Sequence, residues 1–124
     1  ASGSKKHIGK VAFIHEDLNY YSGGFMGILR VKNIKKILPK FLYYQLNSKV
    51  FNEFLQDKIF GANINNLNSN NLKDFKFSIP TLDLQNNVIK DLDNQENIIN
   101  SNKTIRDYYN KKITDLINSI WGSN

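Results

Sequence analysis

The stretch from Leu82 to Trp121 contains neither proline nor glycine. Those two residues are the strongest helix breakers, so the stretch admits one uninterrupted helix. A helix of about forty residues spans roughly 60 Å at 1.5 Å per residue. Apolar residues fall at Leu84, Val88, Leu92, Ile98, Ile99, Ile105, Tyr109, Ile113, Leu116 and Ile120, among others. Gaps of three and four dominate, which is the spacing of one helix face. Gln95 and Asn102 stand where a continuous stripe would be apolar, and a buried polar group at such a place costs stability and fixes register. Residues 94–103 are weak helix formers, so a bend there is the competing expectation. A helix this long cannot bury its whole seam on an eighty-residue domain. Its far end therefore needs a partner helix, with Val88, Leu92, Ile99, Ile105, Tyr109, Ile113, Leu116 and Ile120 as the predicted pairing positions.

The residues ahead of that helix carry the positive charge. Residues 1–80 hold 12 Lys/Arg and 5 Asp/Glu, a balance of +7, against −1 for the remainder of a chain whose formal charge is +6. A basic unit beside a near-neutral helix points to a polyanion partner, with a Lys-rich solvated surface as the plainer alternative. Hydrophobic residues make up 40% of the 124, enough for the core of one modest domain. Cysteine is absent, which excludes disulfides and thiolate metal sites and suits a reducing cytoplasm. No apolar run approaches the roughly 18 residues of a membrane span. The opening ASGSKKHIGK lacks a signal-peptide core.

Residues 8–15, IGKVAFIH, read as a strand, and residues 25–31, FMGILRV, as a second one. Acidic residues, Asn and Gly punctuate the loop between them, and KNIKK at 32–36 is a turn. Pro39 suits the first turn of a helix. The apolar residues Leu42, Leu46, Val50 and Phe54 then follow at helical spacing. Asn47-Ser48 divides this stretch, with Ser48 as N-cap of a second helix. Residues 61–71 contain six asparagines, in GANINNLNSNN. Asparagine favours turns and caps, and its side-chain amide can also bond adenine bidentately. NNLKDF reads as one helical turn and KFSI, 76–79, as a short strand ended by Pro80. The expected fold is α+β: a small mixed sheet with short helices, then a long C-terminal coiled-coil-like helix.

No catalytic site assembles from this sequence. His7 and His15 flank a predicted strand without a metal-ligand spacing. SGGFMG lacks the Lys-Ser/Thr of a phosphate loop. Glu53 and Asp57 share a helix face, where solvation is the commoner outcome than cation binding. No cofactor, metal or nucleophile arrangement is indicated.

Two stretches together resemble a known family. ASGSKKHIGKVAFIHEDLNYYSGGFMGILR is similar to the middle of a target recognition domain from type I restriction-modification specificity subunits. GANINNLNSNNLKDFKFSIPTLDLQNNVIKDLD resembles the closing part of that domain and the start of its helix. Gly61, Asn63, Leu67, Leu72 and Phe77 match the loop and strand, and Pro80, Leu82 and Gln85 the helix opening. Thr81 stands where the family usually has a second proline, and Leu84 where it usually has an acidic residue. The resemblance implies residues 1–80 as the C-terminal portion of a recognition domain and 81–124 as a spacer and dimerisation helix. It implies a fragment of a longer polypeptide, or half of a domain completed by other residues.

It further implies duplex DNA as partner, together with methyltransferase and restriction subunits, and pairing of the helix with a second copy or a second recognition domain. The chain would perform no chemistry itself and would direct adenine methylation and restriction by those subunits. A single-chain restriction-methylation enzyme ending in the same domain is a second context. Candidate DNA contacts are Ser4, Lys5, Lys6, His7, Lys10, Tyr20, Tyr21, Arg30, Lys32, Asn63 and Asn65. The cations suit phosphates, and Arg30 presents a planar donor fork that grips guanine or phosphate. Two other function classes stay open: a protein-assembly module built on the helix, and an RNA-stacking module using Phe25, Phe75 and Phe77.

Overall fold

The computed structural model describes residues 8–16, 19, 21–24, 26–61 and 69–122. Four helices follow in order: α1 (Pro39–Leu46), α2 (Lys49–Gly61), α3 (Ser69–Leu72) and α4 (Leu82–Trp121). The chain separates into two compact units, Ala1–Ile89 and Lys90–Asn124.

Pro39 occupies the first turn of α1, and Leu38 before it is extended at ψ 137°, the conformation that a following proline favours. Asn47 closes α1, its side-chain amide donating to the Tyr43 carbonyl at 2.9 Å. Ser48 then caps α2, its Oγ accepting from the Phe51 N–H at 3.2 Å. The break resets the helical phase. Val50, in line with Leu42 and Leu46 in the sequence pattern, is exposed, and the buried face of α2 is Phe51, Leu55 and Ile59. With Leu46 these residues form the core, against which Ile8, Val11, Leu42, Phe54, Leu72 and Phe75 pack. Each fully buried side chain of this size contributes about 1.5–3 kcal/mol.

The expected mixed sheet is not formed: the described residues contain no strand, and their fold is helical with extended connections. None of the three predicted strands, 8–15, 25–31 and 76–79, forms among the described residues. Val11 and Phe13 are half-buried while Lys10, Ala12 and Ile14 are exposed, and Phe75 and Phe77 alternate with exposed Lys76 and Ser78. The two-residue alternation is therefore present in the first and third segments. Their inward side chains meet helices and rings instead of a neighbouring strand. Val11 lies on the core, and the Phe13 ring is 5.6 Å from that of Tyr43. A ladder needs a second backbone about 4.8 Å away. Outside the helices, the backbone hydrogen bonds among the described residues join positions no more than four apart.

Thr81 caps α4, its Oγ1 accepting from the Leu84 N–H at 3.4 Å, and Asp83 lies in the first turn, where a negative charge suits the helix dipole. One turn in, Gln85 is fully buried. Its Oε1 accepts from the Leu38 N–H at 2.8 Å. Its Nε2 donates to the carbonyls of Lys36 and Pro80, each at 2.8 Å. Both amide hydrogens are thus used, and no buried side-chain polar atom among the described residues lacks a partner. The helix continues without a break through residues 94–103, so the weak helix formers there do not interrupt it.

Candidate nucleic-acid interface

The basic candidates in the first unit lie on irregular chain. Lys10, Tyr21, Arg30 and Lys32 are all exposed, Tyr21 completely so. Lys10 and Arg30 lie in two of the segments read as strands, and among the described residues neither segment forms a ladder. Ser4, Lys5, Lys6, His7, Tyr20, Asn63 and Asn65 fall outside the described residues.

The firmest local geometry in the basic region belongs to the turn after Arg30. The Asn33 side chain accepts from the Lys35 N–H at 3.0 Å. Its carbonyl accepts from the N–H groups of Lys36 and Ile37 at 3.1 and 3.2 Å. An Asx-type turn of this kind fixes the backbone without any sheet. Lys35 and Lys36 project from it and are exposed. With Arg30 and Lys32 they make residues 30–36 a short cationic edge. The sequence reading identified the turn but not these two lysines as contacts; an Asn two residues before a Lys-Lys pair was the available signal. The carbonyl of Lys36 is one of the groups held by Gln85.

The Asn-rich segment is stapled at its base. Lys58 near the end of α2 and Asp74 after α3 form an ion pair at 2.7 Å. The hydrogen bond from Lys58 and then its charge hold the Asp74 carboxyl below the ordinary aspartate value, with slight desolvation opposing and Lys76 adding weakly. Beneath this pair the rings of Phe51, Phe54, Phe75 and Phe77 interlock at centroid distances of 4.8–6.2 Å. Phe75 thus packs on Phe51 and Phe54 of α2, and Phe77 packs on Phe75.

Other sequence candidates resolve into ordinary surface. Glu53 pairs with Lys49 at 3.6 Å on the exposed face of α2. The exposed His15 ring meets Phe13 edge-on at 4.8 Å. Among the described residues no three His, Asp or Glu side chains come together as metal ligands. No helix of the described residues is long and apolar enough to cross a membrane.

In the second unit α4 displays its apolar residues openly. Ile99, Ile105, Tyr109, Ile113, Leu116 and Ile120 are each more than half exposed, Ile98, Tyr108 and Trp121 join them, and Ile117 is 49% exposed. Val88 and Leu92, nearer the start, are half-buried. From Ile105 to Trp121 the apolar stripe covers about 160° of the helix circumference, leaving Tyr108 aside.

No match was found among curated proteins or among solved structures. One family model does match, described as type I restriction modification DNA specificity domain, over residues 2–115. That span takes in the cationic edge, the core helices, the Asn-rich segment and most of α4, and the chain belongs to this family of DNA-sequence recognition domains in type I restriction-modification.

Proposed function

We propose that this chain reads one half of a split target on duplex DNA. Residues 1–80 are the C-terminal portion of a target recognition domain, and residues 81–124 a spacer and pairing helix. The family match is the observation that carries this reading. The +7 balance of residues 1–80 supports it, because phosphate contacts supply most non-specific affinity and set the register for base readout. Arg30, Lys32, Lys35 and Lys36 contact the backbone or base edges, and Lys10 and Tyr21 belong to the same proposed set. Ser4, Lys5, Lys6, His7, Tyr20, Asn63 and Asn65 complete the proposed contact set. The chain performs no chemistry. Methyltransferase and restriction subunits that it binds in the cytoplasm modify adenine and cut.

The exposed seam of α4 supports the pairing part. Val88, Leu92, Ile99, Ile105, Tyr109, Ile113, Leu116 and Ile120 would close on a second recognition domain's helix or on another copy of α4. The same exposure favours a second reading, a protein-assembly module whose basic edge is incidental. Selection from a random duplex pool at near-physiological salt separates the two. An enriched short motif is the expected result. Association that survives salt and enriches nothing would replace the recognition reading by the assembly reading.

A further inference from the structure

Gln85 is the one buried polar side chain among the described residues, and its partners come from two distant places in the sequence. The Lys36 carbonyl ends the Asn33 turn, the Leu38 N–H precedes α1, and the Pro80 carbonyl precedes α4. The N–H of Leu38, the residue ahead of α1, is satisfied by Gln85. All three partners are main-chain groups, which do not titrate. A side-chain amide is well suited to this place, since it offers two donors and an acceptor at one planar end.

We propose that Gln85 is a positioning residue, whose amide locks the first turns of α4 to residues 36–38 and so holds the cationic 30–36 edge at a set orientation to the start of that helix. The functional consequence rests on the DNA-recognition reading above; the lock itself does not. A recognition edge on irregular chain has no ladder to hold it. The Gln85 contacts replace that support at the point where the edge runs into α1.

The substitution Gln85→Glu tests the lock with little change of shape. Ionised, the new carboxylate faces two carbonyl oxygens that cannot donate; protonated, it recovers one donor. Burial and those carbonyls raise its folded value above the unfolded glutamate value of about 4.3. The lock is therefore strongest below that unfolded value and is lost as pH rises through the raised folded value. Spin labels at Lys35 and Asn87, both exposed, report the orientation. The wild type should give one narrow distance distribution at both about pH 4, below the unfolded glutamate value, and about pH 8. The Gln85→Glu chain should be narrow at the lower pH and broad at the higher. On the selected duplex its affinity should stay near wild type at the lower pH and fall below about one tenth of it at the higher. Equally narrow distributions at both pH values would overturn the proposal.

A measurement on the unaltered chain guards against a variant that does not fold. The Leu38 amide should exchange its hydrogen as slowly as amides of α2. Exchange as fast as that of the exposed Lys35 amide would also overturn the lock. Neither the distance nor the exchange measurement needs DNA, so a chain that enriches no motif removes the recognition reading and leaves both results interpretable.

Discussion

Gly9 has φ of +83°, and a Cβ built there would collide with Leu55 Cδ1 in the core. Both facts forbid a side chain for separate reasons: L residues rarely adopt that φ, and Leu55 is fully buried and cannot retreat. Gly9→Ala should cost about 1–3 kcal/mol in urea unfolding. Gly27→Ala, where nothing lies within 4 Å, should stay within about 0.5 kcal/mol. Equal losses would show that the turn at Gly9 does not pack on α2. Asp74 gives a second test at this scale. Its folded value is depressed by Lys58. The pair's contribution is therefore present above the unfolded aspartate value and is lost as pH falls through the depressed one. Titrating the Asp74 carboxyl by NMR should show a value below the ordinary one, returning towards it in Lys58→Met. No shift between the two chains would remove the staple at the base of the Asn-rich segment.

Among the elements, α2 depends on its cap and on its buried face in separable ways. Ser48→Ala removes the acceptor for the Phe51 N–H and should cost about 1 kcal/mol. Leu55→Ala leaves a cavity in the core and should cost about 2–5 kcal/mol; urea midpoints check both. These helices were legible in the sequence because a helix satisfies its own backbone from residues four apart. Pro39, Ser48 and the proline- and glycine-free run after Leu82 mark the boundaries directly. The sheet was misread for the converse reason. Val11 and Phe13 alternate in and out as a strand would, but alternation records two faces and says nothing of a ladder partner. The phase of α2 was also misjudged, because the stripe through Val50 ignores the rotation that Asn47 and Ser48 introduce. In the candidate site, Arg30 and Lys32 were legible as exposed cations. The role of Gln85 was not, since its partners at Lys36 and Leu38 lie 49 and 47 residues away. Its match to the family motif marked the position without indicating what it holds.

For the molecule as a whole, the charge and the seam make opposite predictions about salt. Contacts between cations and phosphates release counterions, so affinity falls linearly with salt on logarithmic axes. The slope counts the phosphates engaged. Lys35 and Lys36, if they meet phosphates, should each lower that slope by about 1 when changed to Ala, with similar losses on specific and random duplexes. Arg30→Ala separates two roles. A base-reading arginine should lose about 1–3 kcal/mol on the selected motif and little on random DNA, and an equal loss on both would assign it to the backbone. The α4 seam is apolar and should ignore salt. Ile113, more than half exposed on that seam, is therefore the position that distinguishes the two surfaces. Ile113→Asp should abolish association through α4 in sedimentation, at low and high salt alike, while the binding of a single half-site stays unchanged. If it weakens half-site binding as much as association, pairing and recognition are one coupled event. The helix would then be part of the DNA-binding unit and not a spacer attached to it.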